Sequence, residues 1–259
     1  MNSPMIRYLW FDLGYTLVKT NREDIYRKTL ETLGIVKTRD EITIAYHLAD
    51  KLFMREYRGV LGKDSRHFLP WYIGVLNYYL GLSLPIEEVI SLQQKAAKEE
   101  GMRWTAFDFS KPTLRSLKEA GYRLGLISNW DGTAREVLKA NRLDEEFDFA
   151  IISSEIGIEK PDPAIFEIAL SESGATAEQS LYVGDNYYDD VVGSRQAGMD
   201  CLLINPYGTR GIEELNYDRV ISSIREVAAY LSQLQGVGSP SLSEGERHVD
   251  HIGTNSGNV

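Results

Sequence analysis

The sequence predicts an α/β protein: a parallel sheet wrapped by helices, with an all-helical insertion after the first strand. Three observations predict it. Strand and helix patterns alternate from Tyr122 to Ile204, as in successive βαβ units. Four helical patterns follow one another without a strand between about Thr20 and about Trp104. Polar residues recur just past the ends of apolar runs, where open α/β sheets place their chemistry.

Met5–Phe11 reads as the first strand. Arg22–Leu33, Arg39–Val60, Ser65–Leu80 and Ile86–Glu99 read as helices, punctuated by Gly34, Gly62 and Gly81, with Pro85 before the fourth. The strand Tyr122–Ser128 then opens the alternation: helix Thr133–Ala140, strand Phe149–Ser153, helix Pro163–Ser171, strand Ser180–Gly184, helix Tyr188–Ala197 and strand Cys201–Ile204. Asp162 before Pro163 is an N-cap with a first-turn proline, and Gly198 stops the helix that ends at Ala197. Ser222–Gln235 is a last amphipathic helix. The expected organisation is a core of residues 1–19 and 105–235, a helical insertion of residues 20–104, and a polar, disordered tail of residues 236–259.

Composition bounds the function. The chain has 259 residues, 43% apolar and 25% charged, enough for a full core with a lid. Its net charge of −10, from 28 basic and 38 acidic residues, argues against nonspecific binding of nucleic acid or acidic membranes. A small anionic substrate must therefore be held by local groups or a cation. Cys201 is the single cysteine, so no intrachain disulfide forms and a reducing compartment is expected. No signal-peptide anatomy and no apolar run of ~20 residues is present, so the expected location is cytoplasmic. Nothing in the sequence specifies an oligomeric state.

Four polar patches sit at the carboxyl ends of predicted strands. Arg7–Val18, R-Y-L-W-F-D-L-G-Y-T-L-V, delivers Asp12 and turns through Gly14 to Thr16; R-L-G-L-I-S-N ends in Ser128 and Asn129; G-I-E-K-P-D-P contains Lys160; and Y-V-G-D-N-Y-Y-D-D contains Asp185, Asp189 and Asp190. Each alone has a plainer reading as a turn, a cap or a solvated charge. Parallel strands bring all four to one edge. Asp12, Asp185, a backbone carbonyl and waters then suit an octahedral Mg²⁺. Lys160 and the Ser128 hydroxyl suit phosphate oxygens, and the amides of Leu13 and Gly14 suit an oxyanion.

In order and spacing these patches resemble the signature motifs of the haloacid dehalogenase-like (HAD) hydrolase superfamily, from about Met5 to Asn205. The helical insertion is similar to that family's C1 cap on a Rossmann-like core. I-S-N-W-D, F-D-F-A-I-I-S-S-E, K-P-D-P-A-I-F and V-G-D-N-Y-Y-D-D-V-V-G are similar to its rhythmically-expressed-gene-2-like branch. The resemblance implies a Mg²⁺-dependent phosphatase of small phosphorylated metabolites, with Asp12 as the nucleophile that becomes an aspartyl-phosphate. Ser128 and Asn129 would hold the phosphoryl group and Lys160 would neutralise its charge. Asp12, Asp185 and the carbonyl of Gly14 would bind the metal, with Asp190 and Asp189 orienting its waters or ligands.

The departure is Gly14. The family's phosphatases read D-x-D-x-T, and the second aspartate serves as general acid and base, worth ~10²–10⁴-fold. Here the string is D-L-G-Y-T. Tyr15 is a weak replacement acid; Asp131 replaces it better if its loop folds inward. Two other readings follow: a fold member that binds ligand without turnover, and a metal-independent 2-haloacid dehalogenase, against which Asp185, Asp189 and Asp190 argue. In the helical insertion, Phe68, Trp71, Tyr72, Tyr78 and Tyr79 are expected mostly to pack its interior. Arg55, Arg58, Arg66 and His67 are candidates to meet an anionic substrate.

Overall fold

The structure is a computed structural model that describes residues 5–236. In chain order its strands are β1 (Tyr8–Phe11), β2 (Val18–Thr20), β3 (Trp104–Ala106), β4 (Arg123–Ser128), β5 (Phe149–Ile152), β6 (Ser180–Gly184), β7 (Asp200–Ile204) and β8 (Val220–Ile221). Its helices are α1 (Arg22–Thr32), α2 (Arg39–Glu56), α3 (Leu69–Tyr79), α4 (Ile86–Glu100), α5 (Ser110–Glu119), α6 (Ala134–Ala140), α7 (Ser153–Ile156), α8 (Pro163–Ser173), α9 (Val192–Gln196) and α10 (Val227–Gly236). Apart from Gly236, the expected tail lies outside the described residues.

Six strands form one parallel sheet in the order β5-β4-β1-β6-β7-β8. The chain runs outward on one side of β1 and then crosses to the other, so the carboxyl end of β1 lies at the switch of direction, where open sheets bind ligands. Phe11 stands across from both Leu126 and Val183. Asp12, Ser128 and Asp185 therefore leave the sheet within two residues of one level. Alternation of side chains fills both faces. Leu9 and Phe11 pack with Leu114, Leu138 and Leu231 on one side, and Trp10 packs with Ile127, Tyr182 and Phe166 on the other.

Helices α1–α4 pack around their own interior of Tyr26, Leu30, Ile42, Tyr46, Phe53, Tyr72 and Leu76. Thr38 closes a reciprocal capping box with Glu41 at the start of α2. Phe68 and Tyr72 are buried there, whereas Trp71 and Tyr78 are 51% and 78% exposed. The chain enters and leaves this unit through β2 and β3, an antiparallel pair with Val18 opposite Ala106 and Thr20 opposite Trp104. The strand pattern misses this pair because each member is only three residues long. It also misses α5, whose Pro112 is tolerated because it falls in the first turn. The predicted helix Tyr188–Ala197 is a π-helical turn, Tyr187–Val191, running into α9.

One face of α2 docks this unit on the core. His47 shares a 2.9 Å hydrogen bond with the carbonyl of Arg210, and Arg55 lies 3.1 Å from Glu214. Lys51 donates to the main-chain oxygen of Asp185 and sits 3.7 Å from its carboxylate. Just beyond α2, the Arg58 guanidinium lies 4.6 Å from the Tyr188 ring centroid. Arg55 and Arg58, candidates for substrate contact, are thus engaged in docking; Arg66 is exposed and paired with Asp64, and His67 is exposed.

Burial pushes the His47 imidazole down to about 4; the Arg210 carbonyl and Asp50 oppose this, while Lys51 and the Arg210 charge add to it. The unfolded chain, with histidine near its ordinary ~6.5, takes up the proton first as pH falls. Stability contributed by neutral His47 is therefore full above that value and declines from about pH 6.5 toward 4. His47→Gln keeps a donor for the Arg210 carbonyl but does not titrate. Urea unfolding as a function of pH should show the wild type losing up to ~1.4 kcal/mol per pH unit relative to His47→Gln across that window.

Candidate active site

Asp12 leaves β1 with its amide donating 2.9 Å to the carbonyl of Val183, which fixes the backbone at the sheet edge. The residue is 8% exposed. Its Oδ1 accepts hydrogen bonds from Ser128 Oγ at 2.9 Å and Lys160 Nζ at 2.8 Å. Its Oδ2 accepts none among the described residues. Burial pushes the Asp12 carboxyl up; Lys160 opposes and Asp190 adds to the rise.

The Lys160 ammonium is spent on three acceptors: Asp12 Oδ1, Asp190 Oδ1 at 2.7 Å and the Tyr182 hydroxyl at 2.9 Å. Burial alone would discharge it, but Asp12 and Asp190 hold its pKa well above the usual lysine value. Asn129 clamps the backbone of the same residue from both sides, accepting from Lys160 N at 2.7 Å and donating to Lys160 O at 2.9 Å. Asp190 is held in turn by the amide of Asn186, 2.8 Å from its Oδ2. A Cβ on Gly184 would stand 2.2 Å from that same Oδ2, so the carboxylate fits only because β6 ends in glycine. The sequence does not single out Tyr182, a polar-tipped aromatic in a fully buried strand. Its hydroxyl donates to the carbonyl of Ile127 at 2.8 Å.

Asp185 and Asp189 complete the acidic edge. Burial pushes both carboxyls up to about 7, against Lys51 for the first and with Asp190 for the second. Asp189 Oδ2 accepts from the Asn186 side chain at 2.8 Å. Lys51, reaching in from α2, is 6% exposed and carries no motif that would have marked it.

The turn after Asp12 carries unspent hydrogen-bonding capacity. Leu13 is fully buried, yet its amide, like that of Gly14, donates to no acceptor among the described residues. Thr16 Oγ1 is buried without a hydrogen-bond partner among the described residues. Buried donors are nearly always paired, so orphans beside a carboxylate mark a seat for an oxygen-rich ligand.

Gly14 itself is not the residue that needs glycine geometry. Tyr15 takes the left-handed backbone, with φ +53°, at a cost of ~1–2 kcal/mol. The Cβ position of Gly14 is roofed by Trp130 at 3.3 Å and Trp104 at 3.8 Å. Neither candidate for the missing acid is suited to the task. Burial raises the Tyr15 hydroxyl above the phenol range, and it is 3.1 Å from Thr20 Oγ1. Asp131 is exposed, and the hydroxyl and amide of Thr133 hold it below the usual carboxylate range.

The family profile described as "Haloacid dehalogenase-like hydrolase" matches residues 9–204. The chain is 27% identical over 238 residues to "Haloacid dehalogenase-like hydrolase domain-containing protein 3" of Danio rerio, covering 87% of this chain and 96% of that protein. It is 42% identical over 101 residues to "Glyceraldehyde 3-phosphate phosphatase" of Methanothermobacter thermautotrophicus, covering 38% of this chain and 44% of that protein. The putative HAD-hydrolase YfnB from Bacillus subtilis, solved bound to magnesium, aligns with a TM-score of 0.59 at 21% identity over 88% of this chain and 99% of that one. An L-2-haloacid dehalogenase aligns over the same shares with a TM-score of 0.57 at 21% identity. These structural likenesses define the fold, which both chemistries share.

Tyr182→Phe removes one acceptor from Lys160 and the donor to Ile127. Urea unfolding should show a loss of ~1–3 kcal/mol with unchanged secondary structure, the cost of leaving buried groups unpaired.

Proposed function

The chain belongs to the haloacid dehalogenase-like hydrolase family, and on that premise we propose that it is a Mg²⁺-dependent phosphohydrolase of small phosphorylated metabolites. The observation that carries this reading is the state of Asp12: one carboxylate oxygen held by Ser128 and Lys160, the other free, beside the orphaned amide of buried Leu13. The phosphatase relative supports the same substrate class. A reducing, cytoplasmic setting belongs to this proposal, with Cys201 buried and free.

One carboxylate oxygen of Asp12 attacks phosphorus while the other is left for a cation; the bond to the leaving oxygen breaks with its electron pair, and that oxygen takes a proton from solvent. Ser128 and the amides of Leu13 and Gly14 hold the transferring oxygens. Lys160 offsets their charge, and Asn129 and Asp190 hold Lys160 in place. Water then attacks phosphorus, the bond to the Asp12 oxygen breaks and the water's proton passes to solvent, releasing phosphate and restoring the carboxylate.

The donor set suits the cation. The free oxygen of Asp12, the Asp185 carboxylate and the Gly14 carbonyl, which accepts no hydrogen bond among the described residues, are all hard oxygen donors. No three acidic, histidine or cysteine side chains form a cage among the described residues. A cation holding few protein ligands and several waters fits that arrangement. When bound, Mg²⁺ supplies charge neutralisation at the transferring phosphoryl group.

Gly14 and its tryptophan roof would make turnover slow, because indole stands where the side chain of a second acid would reach. A screen of phosphorylated metabolites with and without Mg²⁺, run beside a halide-release assay on 2-haloacids, tests the reading. Asp12→Asn should abolish Mg²⁺-dependent phosphate release while the chain stays folded; equal turnover in both would end the proposal. Gly14→Asp should raise kcat on an alkyl phosphate, and by more, up to ~10²-fold, when Trp130→Leu clears the roof. No gain in the folded double variant would mean that proton transfer does not limit the rate.

A further inference from the structure

Arg22 opens α1, outside every motif the mechanism uses, yet its side chain is only 16% exposed. Its guanidinium forks onto Asp50 of α2, with Nη1 3.1 Å from Oδ1 and Nη2 bonded to Oδ2. The Tyr72 hydroxyl of α3 donates to the same Asp50 Oδ1 at 2.5 Å. The guanidinium carbon lies 4.3 Å from the ring centroid of Tyr46 and 4.4 Å from that of Tyr15. Tyr46, Asp50 and Tyr72 belong to the helical unit, whereas Tyr15 belongs to the turn that follows Asp12. A half-buried, forked and stacked arginine therefore joins three helices of the insertion to the nucleophile turn.

Tyr15 needs such a hold. It is an aromatic residue in the left-handed region, where glycine is at ease and side chains are not. Its amide donates to Val18 O at 2.7 Å, and its ring meets Trp104 at 5.6 Å. Arg22 supplies the contact from the insertion. Rotation of Tyr15 out of this conformation would turn the peptide it shares with Gly14, which carries the free Gly14 carbonyl.

We propose that Arg22 is a positioning residue for catalysis: it clamps Tyr15 in its left-handed conformation and thereby couples the seating of the helical insertion to the geometry of the Asp12–Gly14 turn. The inference rests on the phosphohydrolase reading for its kinetic consequence, but not for its structural one. Lysine keeps the charge opposite Asp50 but cannot fork and stack in one plane.

Arg22→Lys is compared with wild type, and the same substitution is made in a Tyr15→Gly chain, where glycine holds the left-handed backbone unaided. Arg22→Lys should lower kcat ~10-fold with KM changed less than ~2-fold, since a small misplacement of reacting groups costs rate rather than affinity. In the Tyr15→Gly chain it should change kcat less than ~2-fold. The backbone amide resonance of Gly14, read in isotope-labelled full chain without substrate, should shift in Arg22→Lys and hold still when Arg22→Lys is added to Tyr15→Gly. Equal losses of kcat in both backgrounds, an unmoved Gly14 resonance, or a Tyr15→Gly chain that is itself inactive would overturn the clamp. If Arg22→Lys does not fold, Asp50→Asn, which keeps the arginine but loosens its fork, gives the same comparison. Turnover unaffected by Asp12→Asn would remove the phosphohydrolase reading while the Gly14 resonance still decides the clamp.

Discussion

A single buried ammonium organises this molecule. Lys160 is 5% exposed and stands among two carboxylates and a phenol, and an ion so placed is tolerable only when every proton has an acceptor. That demand reaches across the sheet. It fixes Asp12 at the end of β1, Tyr182 inside β6 and Asp190 in the π-helical turn beyond it, and it requires glycine at position 184 to make room. Removing any one partner leaves a buried ammonium proton without its acceptor. The cluster is therefore both the centre of the candidate site and a reason why segments far apart in the chain meet at one edge.

The same accounting separates what holds the site from what stays free for a ligand. Asn129 and Asp190 spend their hydrogen bonds on Lys160 and Asn186, so their part is to position. Asp12 Oδ2, the Leu13 amide and the Thr16 hydroxyl remain unspent among the described residues. The aromatic roof over Gly14 belongs to neither group. It gives the turn bulk and stiffness in place of a titratable group.

Much of this was legible in sequence because it is local. Strand ends, the Asp162 cap and the polar residues just beyond the apolar runs each depend on a few neighbouring residues, and parallel topology brings Asp12, Ser128 and Asp185 to one edge, whereas Lys160 reaches it from the loop beyond α7, held there by Asn129. What could not be read depends on contacts between segments far apart in the chain. Tyr182 looks like any aromatic in a buried strand until Lys160 arrives 22 residues away. Lys51 lies 134 residues from the carbonyl it meets. The left-handed conformation in the turn after Asp12 falls on Tyr15 and not on Gly14, sustained by partners from other elements. Short elements also escaped, because three-residue strands carry no periodicity.

The paired strands β2 and β3 have an evolutionary consequence. Thr20 and Trp104 face each other across the ribbon, so the 83 residues between them begin and end at neighbouring points. Antiparallel partners of this kind lie only ~5 Å apart and need no more than a tight hairpin to join them. The helical unit can thus be enlarged, trimmed or exchanged without altering the register of the parallel sheet. Selection can remodel the unit while leaving untouched the cluster around Lys160, so long as contacts such as those of Arg22 with Tyr15 and of Lys51 with Asp185 are kept.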